Sequence, residues 1–527
     1  MRKSISALFI VLGLSFGQAF AQEDINPDEA VTTQHQSVIN GQTVSYTATI
    51  GHQPVWDKDG NIIASLNYTY YERNGVKDKA HRPLLISFNG GPGSGSLWME
   101  IGYTGPALLN LDADGNVVQP YGVHDNPYSV LDVADIVYVN PVNTGFSRII
   151  KKQQGDKKDT DESNRQQGAS RGGGAGRGSV AAQQQGGQSP FFGINEDISY
   201  ISDWVRTFIN RQNRWDSPKF IIGESYGTTR ASGLAYSLQE KHWIFVNGVI
   251  LLSPTDLGID SRSINRRALT LPYMAATSWY HKALGADLQQ RDLSDLLPEV
   301  EKFTVEEYIP ALAWGGSLPE VRRKEIAQKV ARYSGISEKQ VLDHNLLIET
   351  RYYWKEVLRN RDLTIGRLDS RYTGRDLQTG GESPDYNAEF VNWVHSFAPG
   401  YNWYVRNQLN YKTDVEYLLF GNVHPWNRTG DRTGENLGKA LAQDPSLKVL
   451  VQSGYYDGAC DYFNAKYNYW QIDRAGKFQD RFIFKGYRSG HMIYVRKEDL
   501  KQGNDDIRQF ILSQIPKDGK AITYGSR

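Results

Sequence analysis

The sequence predicts an α/β fold: a doubly wound, mainly parallel sheet, opened by antiparallel hairpins and interrupted by an inserted, mainly helical lid. Three observations predict it. Short apolar runs lie at 84–88, 135–139, 219–222 and 248–253, and strands buried on both faces read as unbroken apolar runs. Between the second and third runs, Ile198, Ile201, Val205 and Phe208 recur at three- and four-residue steps, the spacing of one helix face. From 256 to 407 the strand signals give way to helix signals, and strands resume at 448–453 and 481–485. Strands alternating with helices in this order build a parallel sheet covered on both sides.

Taken from the start, Arg2 and Lys3, the apolar stretch 7–16 and Ala19-Phe20-Ala21 read as a secretory signal peptide over 1–21, cut after Ala21 to leave Gln22 first. The apolar stretch is well short of the roughly 20 residues that span a bilayer, so no stable membrane anchor is expected. Residues 22–40 are polar and expected to be poorly ordered. From Val44 the pattern alternates, with the turn Asp57-Lys58-Asp59-Gly60-Asn61 between two strand-like runs. The helix over 195–212 has Asn195 available as its N-cap, and 228–238 is compatible with another helix. Within the insertion, Ser317-Leu318-Pro319-Glu320 reads as a capping box opening a helix that stops at Gly335, and Ser337-Glu338-Lys339-Gln340 opens the next. A last helix is expected over 498–515. The domain reading is a first part of the core over 22–255, a helical lid over 256–407 and a second part of the core over 408–527.

Residues 151–189 stand apart. They are rich in Gln, Gly and Arg, cannot bury a core, and read as a disordered surface insertion. Their glycines do not make a phosphate loop, because Ser179 stands where the lysine is required.

Composition excludes several function classes. Lys plus Arg and Asp plus Glu number 59 each, which gives no reason to expect nucleic acid or an anionic membrane as partner. The sole cysteine, Cys460, leaves no intrachain disulfide. An exported chain without disulfides suits a bacterial periplasm or exterior. The ten histidines include no His-Glu-x-x-His pair, so no metal is called for, nor any cofactor.

Gly223-Glu224-Ser225-Tyr226-Gly227 follows one predicted strand and precedes a helix-compatible stretch. This is the nucleophile-elbow arrangement, in which a serine stands on a sharp strand-to-helix turn at the top of an α/β-hydrolase sheet. A serine hydroxyl needs a base to take its proton, and in this fold the acid and then the histidine come later in the chain. Asp457 lies in the loop after the strand 448–453. His491, the sole histidine beyond Asp457, lies after the strand 481–485. Asp457 would orient the imidazole of His491, which would shuttle the proton of Ser225. Asn89-Gly90-Gly91-Pro92-Gly93-Ser94 follows the strand 84–88, and its glycines free a backbone N–H to serve an oxyanion beside the Tyr226 N–H.

At these residues the chain resembles the serine carboxypeptidase family, of the α/β-hydrolase fold. Asn89-Gly-Gly-Pro-Gly93, the Gly-Glu-Ser-Tyr-Gly elbow and Gly490-His491-Met492 match its hallmark segments in order, and 140–147 is similar to another. The stretch from Leu271-Pro272-Tyr273 to Trp279-Tyr280-His281 is similar to the bacterial branch. The resemblance covers roughly 80–515 and implies release of C-terminal residues from peptide substrates through an acyl-enzyme, often best at acidic pH. It implies Gly91 and Tyr226 as the oxyanion hole, and Asn89 and Glu224 as partners of the substrate's terminal carboxylate. Met492 is implied as a further substrate-binding residue, and Cys460 as a lining residue of the leaving-group pocket. A glutamate facing a carboxylate must be protonated, since two like charges a few Å apart cannot both ionise. Two departures stand out. Tyr103 occupies the position, two residues before Gly105-Pro106, where many members place a second glutamate, and Glu100 is out of register. The disulfides of eukaryotic relatives are missing, so the lid is expected to be held by packing alone. An esterase or acyltransferase on small molecules fits the same triad, and a non-catalytic binding protein on a hydrolase scaffold is the reading from another class. Oligomeric state is not legible.

Overall fold

The computed structural model of the protein describes residues 26–150, 189–259 and 263–516. The signal segment with its cleavage site and all of 151–189 except Ser189 lie outside the described residues.

A 10-stranded sheet organises the chain. It begins with an antiparallel meander of β1 (Ala30–Ile39), β2 (Gln42–Trp56) and β3 (Ile62–Arg73). The parallel part comprises β4 (Leu84–Phe88), β5 (Asp135–Val139), β6 (Lys219–Glu224), β7 (Gly248–Leu252), β8 (Lys448–Gly454) and β9 (Phe482–Tyr487). Across the sheet the order is β1-β2-β3-β5-β4-β6-β7-β8-β9, with the two-residue strand Arg148–Ile149 beside β3. Strand β3 meets β5 antiparallel, and every pairing from β5 onward is parallel.

β1 corrects the expectation that 22–40 is poorly ordered. All ten of its residues pair with β2. It escaped notice because an edge strand needs no apolar alternation: its outward side chains bond across to β2, Gln34 to Thr47 at 3.0 Å and Gln36 to Ser45 at 3.1 Å.

Successive residues of each parallel strand serve opposite faces. Leu85, Ile136, Phe220, Ile250 and Leu450 point into one core, closed by α5 (Lys497–Ser513) and α3 (Ala388–Asn407). Ile86, Val137, Ile221, Val249 and Val449 point into the other, closed by α1 (Ile194–Arg211), α2 (Tyr226–His242) and α4 (Thr433–Gln443). This two-sided covering is the α/β-hydrolase architecture. α1 starts one residue before Asn195, and Gly193 is its N-cap; the Asn195 amide donates instead to the Thr429 carbonyl at 3.3 Å.

The helical insertion has a core of its own, in which Tyr273, Leu296, Val300, Ile326, Val330 and Tyr353 meet. The capping box at Ser317 does not form. The helix Glu320–Ser334 begins after Pro319 without a side-chain cap, and it ends as expected at Gly335, whose φ is +72°. The box at Ser337 does form, with both reciprocal bonds to Gln340. The expectation that packing alone holds the insertion is also corrected, because hydrogen bonds tie its strap 367–370 to the loops that follow β8 and β9. His491 N–H donates to the Leu368 carbonyl at 2.7 Å, Gly458 N–H to Arg367 at 3.0 Å, and Ser370 N–H to Tyr456 at 2.9 Å. Among the described residues no helix is long and apolar enough to cross a membrane.

Candidate functional site

The elbow is built by close approach. β6 runs straight into α2 through Ser225, whose φ of 57° and ψ of −126° place a non-glycine residue in strained backbone. The turn needs the glycines on either side of it: a Cβ on Gly223 would lie 2.0 Å from the Gly227 carbonyl oxygen, and one on Gly227 would lie 2.6 Å from that of Phe88. The Ser225 N–H is tied to the Leu252 carbonyl at 2.9 Å, which anchors the turn to β7. Strain held by bonds on both sides keeps the hydroxyl at the C-terminal edge of the sheet.

Asp457 and His491 follow β8 and β9, the next strands along that edge. Their side chains meet at 2.7 Å, His491 Nδ1 to Asp457 Oδ2. The other oxygen of the fully buried Asp457 accepts the N–H groups of Ala459 at 2.8 Å and Cys460 at 3.0 Å, so the carboxylate cannot rotate. Burial works to lower the pKa of His491, but the charge and hydrogen bond of Asp457, together with the Cys460 thiol, outweigh it and hold the imidazole well above its ordinary value. The structure brings His491 and Ser225 to the lining of the same two cavities.

The loop 89–94 crosses directly over the elbow. Gly91 has a φ of +108°, open to glycine, and its residue lines both cavities at Ser225. Tyr226 is the first residue of α2, so its N–H has no partner within the helix. Both groups expected to serve an oxyanion thus flank Ser225. What fixes the loop was not anticipated. Arg230 donates to the carbonyls of Asn89 at 2.7 Å and Pro92 at 2.8 Å, while its Nε donates to Asp197 at 2.6 Å. This arginine is fully buried and lies one turn beyond the elbow. A charge on the inward face of a helix was the available signal. Asn140 supports the loop from behind, its side-chain oxygen accepting the Ser96 N–H at 2.8 Å.

The first cavity, of about 430 Å³, is floored by Asn89, Glu224 and Met492 and walled by Trp98, Phe390 and Phe420. Asn89 donates through its side-chain nitrogen to Glu224, and Tyr494 donates to both oxygens of that carboxyl, at 3.0 and 3.1 Å. Burial pushes the Glu224 pKa up to about 7, against the opposing influence of His491 and these hydrogen bonds. Tyr103 does not reach this group. Its hydroxyl donates to Gln452 at 2.9 Å, and its ring stacks on Tyr494 with centroids 5.0 Å apart. Tyr103 therefore braces the partner of Glu224, which sequence reasoning missed. Glu100 lies in the core instead, accepting the hydroxyls of Tyr71 at 2.7 Å and Tyr401 at 3.1 Å.

The second cavity, of about 710 Å³, opens on the other side of Ser225 and is lined by Tyr226, Thr255, Arg266, Asp461 and Cys460. Cys460 lines this cavity and not the one lined by Asn89 and Glu224. The loop that carries Asp457 turns back past His491, so that Cys460 faces the opposite side; the ligand atoms of Asp457, Cys460 and His491 all lie within 4.8 Å of one another. Burial pushes the Cys460 thiol up, leaving it protonated.

The serine carboxypeptidase family model matches residues 40–244. No curated protein sequence matches the chain. Among solved structures the chain is similar to Kex1(Δ)p, a prohormone-processing carboxypeptidase from Saccharomyces cerevisiae, at 14% identity over 90% of this chain and 93% of that one, with a TM-score of 0.49. It is also similar to a proline iminopeptidase from Mycobacterium smegmatis, at 11% identity over 88% and 98%, TM-score 0.34. The peroxisomal α/β-hydrolase Lpx1 from Saccharomyces cerevisiae stands at 10% identity over 95% and 94%, TM-score 0.33. The matched segment includes the elbow and the loop above it. The chain is a serine hydrolase of the α/β-hydrolase fold, and over residues 40–244 it is similar to the serine carboxypeptidase family.

Proposed function

We propose that the protein is an exported serine-type carboxypeptidase that removes C-terminal residues from peptides. One observation carries the reading: a buried carboxyl paired with an amide, Glu224 with Asn89, forms the floor of an apolar cavity that ends beside Ser225. A cavity with a polar floor and aromatic walls takes one residue and its terminus, which is the geometry of an exopeptidase. In this reading Ser225 Oγ attacks the last peptide carbonyl while His491 takes its proton. The N–H groups of Gly91 and Tyr226 hold the developing oxyanion, and each such donor contributes about 3 kcal/mol to the transition state. His491 then protonates the leaving amine, and water hydrolyses the acyl-enzyme by the reverse path. Asp457 holds the imidazole tautomer throughout. Neutral Glu224 donates to the terminal carboxylate, which favours peptide acids over the corresponding amides below about pH 7.

The test is a fluorophosphonate label together with a peptide-ladder mass spectrum. Labelling is expected in the wild type and absent in Ser225→Ala, and an N-blocked peptide is expected to lose residues one at a time from its C-terminus. Labelling that persists moves the nucleophile elsewhere. Cleavage restricted to esters or C-terminal amides replaces the peptidase by an esterase. Export is tested separately, by N-terminal sequencing of the mature protein, which is expected to begin at Gln22.

A further inference from the structure

A substrate carboxylate carried into the first cavity brings a full negative charge into an apolar enclosure, and an unpaired charge there is costly. Asn89 and Glu224 supply dipoles and no positive charge. Among the described lining residues of this cavity, the one permanent cation is Arg367. Its side chain is exposed and enters no ion pair among the described residues. Glu389, a carboxyl that feels its charge, is buried and already accepts the Leu368 N–H at 2.8 Å.

The mounting of this arginine is what singles it out. Its carbonyl accepts the N–H of Gly458, next to Asp457, and the carbonyl of Leu368 accepts the N–H of His491 itself. Asp369 accepts the Gly490 N–H at 3.2 Å. The strap is thus hydrogen-bonded to both loops that carry Asp457 and His491, and Arg367 lines both cavities beside Ser225 and His491. A guanidinium offers a planar fork that matches a carboxylate in two parallel hydrogen bonds.

We propose that Arg367 is a specificity-determining residue that binds the free C-terminal carboxylate of the peptide, supplying the positive charge that Asn89 and Glu224 do not. This rests on the carboxypeptidase reading of the same site. The test compares an N-blocked dipeptide with its C-terminal amide, for the wild type, Arg367→Gln and Arg367→Lys. The wild type is expected to prefer the acid. Arg367→Gln is expected to lower the acid-to-amide ratio of kcat/KM by about 10- to 100-fold, chiefly through KM, as loss of a charge-assisted hydrogen bond predicts. Arg367→Lys, which keeps the charge without the fork, is expected to fall between. A wild type with no preference for the acid sinks the carboxypeptidase reading and this inference with it. A wild type that prefers the acid, with Arg367→Gln keeping that preference, overturns this inference alone. Equal losses on acid and amide overturn it too, since they would reduce Arg367 to a brace for the His491 loop.

Discussion

On one side of Ser225 the enclosure is aromatic, with Trp98, Phe390 and Phe420 around a floor of Asn89 and Glu224. On the other side it is larger and polar, with Arg266, Asp461 and Cys460 in its wall, and Arg266 already paired to Asp256 at 2.6 Å. Ser225 and His491 line both, so the two enclosures share one pair of groups while their surroundings differ. On the carboxypeptidase reading, direction along a substrate is therefore set by the walls. A chain end with a carboxylate suits the first enclosure, whose floor is a carboxyl that burial keeps neutral to about pH 7. The acyl part of the substrate, with chain continuing behind it, suits the roomier second one.

The largest effect tests what the two sides share. Asp457→Asn is expected to lower kcat about 10⁴-fold, as loss of the imidazole's orienting partner does elsewhere. The loss should be the same for peptide acids, amides and esters in steady-state assays; a loss confined to one class would mean that the two enclosures do not use one triad. A smaller effect separates them. The acid-to-amide ratio of kcat/KM is expected to fall about tenfold between pH 6 and pH 8, because above pH 7 Glu224 becomes a carboxylate and repels the incoming one, while the protonation of His491 weighs on acid and amide alike. Glu224→Gln should flatten that limb, and a pH profile with the limb intact would assign it to another group. On the opposite side, Cys460→Phe fills part of the second enclosure. It is expected to shift the preference for the acyl-side residue roughly tenfold while leaving the order of preferred C-terminal residues as it was, read from a peptide library. A changed C-terminal preference would exchange the roles given to the two cavities.

A last effect, on stability and not on turnover, uses Glu100 as a control for Glu224. Burial pushes both carboxyls up to about 7, but Glu100 is enclosed by Tyr71 and Tyr401 and lines neither cavity. Its folded value lies above its unfolded one, so folding is penalised once the unfolded chain ionises, from about pH 4.5 upward. The penalty grows to about 3 kcal/mol and levels off above pH 7. Glu100→Gln should therefore gain stability relative to the wild type between pH 5 and pH 8 in thermal melts, with no change in the pH profile of turnover. A changed profile would show that the two carboxyls communicate.

Much of the site was legible because its residues are tied to chain order. An elbow serine must follow a strand, and the acid and histidine must follow later strands. That rule, with the elbow motif and the sole histidine beyond Asp457, pointed to Ser225, Asp457 and His491. The structure joins Asp457 to His491 and brings His491 and Ser225 to the same cavities. The β1 edge strand was not legible, since its pairing is carried by backbone and polar side chains. Arg230 and Tyr494 were missed for a different reason. Each acts on a residue far away in sequence, Arg230 on Asn89 and Pro92, and Tyr494 on Glu224.

The sequence by itself determined the sheet, the turn that presents a hydroxyl and the order of its partners, because these depend on local periodicity and on residues with special backbone needs. Only the tertiary structure decided which wall each group joins. It turned Cys460 away from Glu224, bent Tyr103 behind Tyr494 and laid the strap 367–370 across two loops. Those outcomes depend on packing between segments far apart in the chain, which no local pattern encodes.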